Sequence, residues 1–236
     1  IAGFTLLVMA GEAEAANGKR SDTDTGYLME KWRAGFGTEV GALNAIKSAD
    51  IDNDGDQALF VCGYDCPNLL YINQGNGTFV ENAAAAGLAF NGASIMVAFA
   101  DYDIDGDLDA YLVTYRIAPR KNLQGRYIQK NGKPVMVEEL QEQLDLLAGP
   151  DQRFFEVVSG QYDHLYENNG DGTFSDVSKR AFGESAGGND PGNAAMWWDY
   201  NDDRLPDLYI ANDFAGPDRL LQNNGDGTFN QVTRTC

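Results

Sequence analysis

Three short acidic loops carry the residues of this chain whose types and spacing could do chemistry. They read Asp50-Ile-Asp52-Asn-Asp54-Gly-Asp56-Gln-Ala58, Asp101-Tyr-Asp103-Ile-Asp105-Gly-Asp107-Leu-Asp109 and Asp199-Tyr-Asn201-Asp-Asp203-Arg-Leu205-Pro-Asp207. Oxygen ligands at positions one, three and five of a tight turn are what a hard, flexibly coordinated cation such as Ca²⁺ requires. The loops therefore predict up to three calcium ions.

The expected ligands are the side chains at positions one, three, five and nine, with the backbone carbonyl at position seven. They are Asp50, Asp52, Asp54 and Asp56 in loop one, Asp101, Asp103, Asp105, Asp107 and Asp109 in loop two, and Asp199, Asn201, Asp203, Leu205 and Asp207 in loop three. Loop one lacks a carboxylate at position nine, where Ala58 stands. Loop three has Arg204 at position six, where a left-handed turn would cost about 1 kcal/mol or more. We expect loop two to bind most tightly, then loop three, then loop one.

Two other interpretations of the loops are weaker. An EF-hand needs a bidentate Glu at position twelve and flanking helices, and position twelve is here Val61, Leu112 or Ile210. Simple polar turns would leave four or five acids repelling one another without a cation. Mg²⁺ fits less well than Ca²⁺ because it prefers strict octahedral geometry and keeps its waters.

The segments around the loops predict β-structure. Short β-branched and aromatic runs enter and leave each loop, as in "SIMVAFADYD" and "DAYLVTY", which favours strands. Each unit closes with a Gly-rich hairpin, "LLYINQGNGTFVE", "HLYENNGDGTFSDV" or "LLQNNGDGTFNQV", whose glycines supply the positive φ of tight turns. We expect Phe79, Phe174 and Phe229, which follow the glycines, to point into the core.

Each unit is therefore a four-stranded antiparallel meander, and meanders that repeat along a chain are typical of β-propeller blades. The predicted fold is all-β, a partial propeller of about three blades with calcium loops. Loops one and two start 51 residues apart (50 to 101), but loop three starts only at 199. The surplus is an insertion at about residues 116–162 within the second blade.

The insertion has its own composition. Residues 116–133 carry six Lys and Arg and no acid, while Val137, Leu140, Leu144 and Leu147 follow at helical spacing, which predicts one amphipathic helix. Insertions on rigid scaffolds often carry function, so this one is either a recognition element or a basic loop that docks on the chain's own acidic surface.

Two domain segments are expected. Residues 42–236 form the blades, and residues 1–41 form an N-terminal arm or part of a preceding blade. Three blades are too few for a ring, which typically needs four to eight. Either the chain is the N-terminal part of a longer propeller, or another chain completes its open edges.

Bulk composition excludes some functions. A formal charge of −19 argues against a nucleic-acid partner, because phosphate contacts need clustered Lys and Arg. No run approaches the roughly 20 apolar residues of a membrane span. Cys62 and Cys66 could form a local disulfide or remain two thiols, Cys236 has no evident partner, and a zinc site is improbable with one histidine.

The loop "ADYDIDGDLDAYLV" and the hairpin "HLYENNGDGTFSDVS" resemble the FG-GAP (VCBS-type) repeat family, which includes the integrin α-subunit propeller and bacterial proteins similar to cartilage acidic protein. The likeness covers about residues 42–234. It implies a calcium-stabilised, usually seven-bladed extracellular propeller used for adhesion or ligand binding. It also makes Asp101, Asp103, Asp105, Asp107 (by its carbonyl) and Asp109 the clearest ligand set.

Three functions remain open. The first is a non-enzymatic, secreted or cell-surface calcium-binding module whose partner is a protein, a polysaccharide or another copy of itself. The second is the propeller part of a polysaccharide-active enzyme, although the single histidine, His164, reads better as a surface or packing residue and no acid–base pair stands outside the loops. The third is a self-assembling surface or filament subunit.

Overall fold

The computed structural model describes residues 42–115, 127–131, 133–136, 144–148, 154–158, 160–183, 190–213 and 216–232, and within these it is almost entirely β. Blade one comprises β1 (Ala42–Ala49), β2 (Ala58–Pro67), β3 (Leu69–Asn73) and β4 (Phe79–Glu81), followed by the short helix α1 (Ala83–Ala86). All three pairings in this blade are antiparallel. The predicted meander of strand, loop, strand and hairpin is confirmed.

Blade two repeats the arrangement around an insertion. Its first two strands are β5 (Asn91–Ala100) and β6 (Asp109–Thr114), and the insertion contributes β7 (Tyr127–Lys130), β8 (Lys133–Met136), β9 (Leu144–Ala148) and β10 (Phe154–Val158). The blade closes with β11 (His164–Asn168), β12 (Phe174–Asp176) and the helix α2 (Ser178–Phe182). Because β6 pairs with β11 directly, the insertion leaves the four-stranded order intact, as the sequence predicted.

Blade three is a separate four-stranded sheet. It comprises β13 (Gly192–Trp198), β14 (Asp207–Asn212), β15 (Arg219–Asn223) and β16 (Phe229–Gln231), paired in that order. Blades one and two, by contrast, share one eight-stranded sheet, because the end of β2 pairs with the start of β5. The described chain is therefore a partial propeller of three blades, which confirms the predicted fold class.

The core lies between the blades rather than within any one of them. Strand β6 shows why: Ala110 and Leu112 pack into a cluster shared with blade one, whereas Tyr111 and Val113 pack into a cluster shared with blade three. Alternate side chains of a strand point to opposite faces, so a middle blade is buried on both. Burial of apolar surface stabilises a fold by roughly 25 cal/mol per Å². These two clusters therefore hold successive blades together.

The prediction of a helix in the insertion is wrong for those residues of the insertion that the structure describes. Residues Lys133–Met136 and Leu144–Ala148 are strands, and the latter pairs antiparallel with Phe154–Val158. Short apolar runs do not distinguish a helix from a strand by spacing alone, and here a complementary run, "FFEVV", lies close enough to pair. Residues 137–143 and the basic stretch 116–126 lie outside the described residues, as do residues 1–41 with the expected N-terminal arm.

The hairpin phenylalanines follow the prediction in two blades. Phe174 and Phe229 are buried, each against the blade that precedes its own. Phe79 is only half-buried. Blade one is the first of the described blades, so the described residues include no preceding blade for Phe79.

The remaining structural predictions concern helices and thiols. In the part of the chain that the structure covers, neither helix is long enough to cross a membrane. Cys62 and Cys66 are both free thiols on β2, which favours the second of the two alternatives, and burial raises the pKa of Cys62 to about 12. Cys236 lies outside the described residues.

Candidate metal centres

Each acidic loop joins the first strand of its blade to the second, and the three loops share one hydrogen-bond pattern. The carboxylate at position one accepts from the backbone N–H at position six, and the carboxylate at position five accepts from the N–H at position seven. The position-one bonds are Gly55 to Asp50 (3.1 Å), Gly106 to Asp101 (3.1 Å) and Arg204 to Asp199 (2.8 Å); the position-five bonds are Asp56 to Asp54 (2.8 Å), Asp107 to Asp105 (2.9 Å) and Leu205 to Asp203 (2.9 Å). This repetition gives all three loops the same tight turn.

The turn requires two left-handed residues per loop. Position six was expected to be left-handed, and Gly55 (φ 91°), Gly106 (φ 101°) and Arg204 (φ 73°) are. Position four is left-handed as well, a feature that the sequence did not reveal. Its occupants are Asn53 (φ 56°), Ile104 (φ 63°) and Asp202 (φ 61°). A β-branched residue in this region is strained, so loop two stores strain at Ile104.

Carboxylates converge in loops one and two. One oxygen from each of Asp50, Asp52 and Asp54 lies within 4.8 Å of the others, and the same holds for Asp101, Asp103 and Asp109. Burial and then the neighbouring Asp54 raise the pKa of Asp52, and burial and then Asp105 raise that of Asp103. Such carboxyls are suited to a cation, because a bound cation favours the charged form that burial disfavours.

One further atom supports the fit of loop one to a cation. The Oδ1 atom of Asp50 is buried and has no hydrogen-bond partner among the described residues. A buried carboxylate oxygen without a donor costs free energy. A metal ion in the loop would satisfy it, and Asp52 and Asp54 each bring an oxygen within 4.8 Å of one oxygen of Asp50.

The carboxylate at position nine is buried and holds the loop to the hairpin. In loop two, Asp109 accepts the backbone N–H of Tyr102 (3.1 Å) and that of Asn168 (2.9 Å). In loop three, Asp207 accepts from Tyr200 (3.1 Å) and Asn223 (2.8 Å). Burial raises the pKa of Asp109 to about 7, against the lowering effect of its two N–H donors. Position nine therefore has a structural role in addition to the predicted metal role.

Side chains at position seven lie close to the first glycine of their own blade's hairpin. A Cβ on the first hairpin glycine would lie 3.0 Å from Asp56 in blade one, 2.9 Å from Asp107 in blade two and 3.1 Å from Leu205 in blade three. The Asp107 carboxylate also accepts from the side-chain amide of Asn53, at 2.6 Å. These contacts engage the side chains at position seven, and its backbone carbonyl remains the ligand that the sequence predicts.

Sequence reasoning missed the asparagines that begin the three hairpins. Asn168 donates from its side-chain amide to the carbonyl of Ile51, at 2.8 Å, and Asn223 donates to that of Tyr102, at 2.7 Å. Each therefore reaches position two of the loop in the preceding blade. A recurrent Asn before each "NGDG" or "QGNG" string was the available signal, but only the tertiary structure identifies its partner.

Two groups of titratable side chains in the described part of blade two are engaged in packing. His164 lies 2.8 Å from the Asp176 carboxylate and packs against Phe90 and Tyr166, which agrees with the packing role expected for it. The hydroxyl of Tyr102, a buried residue, donates to Glu167 at 2.8 Å and accepts from Arg180. All three residues belong to blade two, so this group ties the Tyr102 ring to the second half of that blade, while Arg180 and Glu167 remain partly exposed.

Comparisons with known proteins agree with the motifs. Residues 50–112, which span loops one and two, match the family model of the FG-GAP-like repeat. A stretch of 84 residues is 38% identical to cartilage acidic protein 1 of Mus musculus; it amounts to 34% of this chain and 12% of the mouse protein. The resemblance to FG-GAP repeats is thereby confirmed for this part of the chain, which corresponds to a small fraction of the relative's length.

A likeness to one solved structure is much weaker. It comes from a study of how an Agrocybe aegerita lectin recognises non-reducing terminal N-acetylglucosamine, and it covers 82% of this chain and 53% of that chain. The identity is 17% and the TM-score 0.27. A TM-score of this size is too low to relate the two folds.

Proposed function

We propose that this chain is a calcium-binding, non-enzymatic β-propeller module that works outside the cell, where it presents a rigid surface to a protein or polysaccharide. The observation that carries the proposal is the convergence of three carboxylates in loop one and three in loop two, around turns with the same hydrogen bonds. Residues 1–41 are proposed as an arm or part of a preceding blade, and residues 42–236 as the blade region.

Calcium would have a structural role here. The proposed ligands in loop two are Asp101, Asp103, Asp105 and Asp109 with the carbonyl of Asp107, and loops one and three supply the equivalent positions, including Asn201. A bound ion would neutralise carboxylates that the fold crowds together. It would thereby stabilise the folded state by mass action.

An extracellular location is supported by the chemistry of the loops and by the relative. The expected ligands are exposed or half-buried except at position nine, and loosely enclosed sites of extracellular modules bind calcium at about 10⁻⁴–10⁻³ M. That range matches millimolar calcium outside cells. The mouse relative takes its name from cartilage, a setting that fits an adhesion or ligand-binding role.

The test is thermal unfolding of the protein in calcium, after removal of the metal on a chelating resin, and after addition of calcium or magnesium. We expect metal removal to lower the melting temperature by several degrees, calcium to restore it and magnesium to restore it poorly. Asp101→Asn should reduce the calcium-induced shift, while Asp171→Asn, in a hairpin outside the loops, should not. A melting temperature that is the same with and without calcium would refute the proposal.

A further inference from the structure

The side chain of one buried asparagine joins loop one to loop two. Asn168 donates from its side-chain amide to the carbonyl of Ile51 in loop one, at 2.8 Å, and to that of Leu108 in loop two, at 3.3 Å. Its backbone N–H donates to the carboxylate of Asp109 in loop two, at 2.9 Å. Asn168 is 4% exposed, so water competes little for these bonds. A single residue thus holds two acidic loops at once.

Asn223 makes the same contacts one blade later. Its side-chain amide donates to the carbonyl of Tyr102 in loop two, at 2.7 Å, and to that of Pro206 in loop three, at 3.1 Å. Its backbone N–H donates to the carboxylate of Asp207, at 2.8 Å, and the residue is 2% exposed. In both cases the acceptors are position two of the earlier loop and positions eight and nine of the later loop. The link between successive loops is therefore a repeated feature.

The acceptors of these bonds are sequence neighbours of the expected metal ligands. Position two lies between the ligands at positions one and three, position eight follows the carbonyl ligand at position seven, and position nine is itself a ligand. Ordering of the ligands in one loop therefore also restrains the asparagine, and a restrained asparagine reduces the conformational entropy that the other loop loses when it is ordered. When a first binding event lowers the ordering cost of a second, the two sites are positively cooperative.

Loops one and two share a second contact. The side-chain amide of Asn53, at position four of loop one, donates to the Asp107 carboxylate at 2.6 Å and to the Gly106 carbonyl at 3.4 Å. Both acceptors lie in loop two. Position four of loop two is Ile104, whose side chain has no hydrogen-bond donor, so the same contact cannot recur between loops two and three. Loops one and two are therefore joined in two ways.

We propose that neighbouring loops bind calcium with positive cooperativity, which Asn168 transmits between loops one and two and Asn223 between loops two and three. Because of Asn53, the first pair is the more strongly coupled. This inference rests on the calcium role proposed above, and it makes the asparagines positioning residues rather than ligands. Coupling between two sites is reciprocal and typically changes affinity by about 5–150-fold.

The test is calorimetric titration of the metal-free protein with calcium. Asp203→Ala removes an exposed position-five carboxylate and disables loop three, so that loops one and two remain. In this background Asp105→Ala leaves loop one alone and Asp54→Ala leaves loop two alone, which gives the separate affinity of each. We expect the protein with both loops intact to bind its second calcium ion about 5-fold or more tightly than the separate affinities predict.

Three variants identify the residues that carry the coupling. Asn168→Ala, compared with its own two single-loop proteins, should bind calcium at the two loops independently. Asn53→Gly removes the second contact at an exposed position whose left-handed backbone (φ 56°) glycine tolerates, and it should reduce the coupling in part. The control is Asn169→Ala in the same hairpin, because the Asn169 amide donates to the Thr173 hydroxyl instead. It should leave the coupling unchanged.

The outcomes separate this inference from the proposed function. If each single loop binds calcium and the pair binds no more tightly than their separate affinities predict, the coupling is refuted and the calcium role stands. If neither single loop binds calcium, both are refuted. Pair binding weaker than the separate affinities predict, as repulsion between two cations would give, or coupling that survives Asn168→Ala and Asn53→Gly together, would also overturn the inference. Asp54→Ala alone leaves loops two and three, and stronger coupling in that pair would contradict the role of Asn53.

Discussion

Asp109 has two roles, one as the acceptor of two backbone N–H groups and one as an expected metal ligand. Replacing it with alanine separates them, because the first role does not need metal. The side chain is buried, and its oxygens accept the backbone N–H groups of Tyr102 and Asn168. An unsatisfied buried donor costs about 1–3 kcal/mol, so loss of both acceptors should lower the free energy of unfolding by about 2–6 kcal/mol. That is a large part of the roughly 5–15 kcal/mol that stabilises a typical domain.

The assay is urea unfolding at pH 6, first on protein stripped of metal and then in saturating calcium. Burial raises the pKa of Asp109 to about 7, against the lowering effect of its two N–H donors, so all variants are compared at this one pH. In calcium at 100 times the dissociation constant, a site contributes about 2.7 kcal/mol, and this increment should also shrink in Asp109→Ala.

Two variants control the experiment. Asp109→Asn keeps one acceptor and should show roughly half the metal-free loss. Asp105→Ala removes an exposed carboxylate of the same loop that accepts one N–H, so it should weaken calcium binding with little metal-free effect. If Asp109→Ala without metal were as stable as Asp105→Ala, the structural role of position nine would be refuted.

Three further predictions use other features of the loops. Ile104→Asn should stabilise the protein by about 1 kcal/mol in thermal or urea unfolding, because asparagine tolerates the left-handed backbone better than a β-branched residue; no gain would mean that the turn is unstrained. Ala58→Asp should give loop one the missing carboxylate and raise its calcium affinity, measured by calorimetry; unchanged binding would exclude position nine as a ligand there. Burial raises the pKa of Asp109 and of Asp163 to about 7, above their unfolded value, so their stabilisation is full below about pH 4 and is lost as pH rises through 7. Metal-free protein should therefore melt at a lower temperature at pH 8 than at pH 5, and a higher melting temperature at pH 8 would contradict this assignment.

The blade order was predictable because each of its signals is local. Alternating apolar residues mark the strands, paired glycines mark the hairpins, and the acidic loops recur in the same place between them. Gly170 is constrained in two ways, because its φ is positive and because a Cβ there would meet the Asp107 carboxylate. The insertion was predicted from the same repeat, because it interrupts a period that is visible in the sequence.

The failures have physical causes in longer-range structure. Leu144 and Leu147 satisfy helical spacing, but the segment Phe154–Val158 pairs with theirs as a strand. The spacing of residues within one segment carries no information about a partner in another segment. The partners of Asn168 and Asn223 are backbone carbonyls in another blade, so no side-chain pattern identifies them. The left-handed residue at position four varies among Asn, Ile and Asp, which hides the requirement.

Hydrogen bonds join the two ends of the insertion where it leaves blade two and returns to it, and these bonded ends form a stem. Gln161 donates its backbone N–H to the Tyr115 carbonyl at 2.7 Å, and its side chain accepts from Ala93 at 2.6 Å. Thr114 donates from its hydroxyl to the Gln161 carbonyl and from its N–H to Asp163. With the two ends joined in this way, a doubling of the intervening length adds only about 0.6 kcal/mol of closure entropy. The stem thus fixes where the inserted segment starts and ends on blade two, so that its length and sequence can change while the four strands of the blade stay the same.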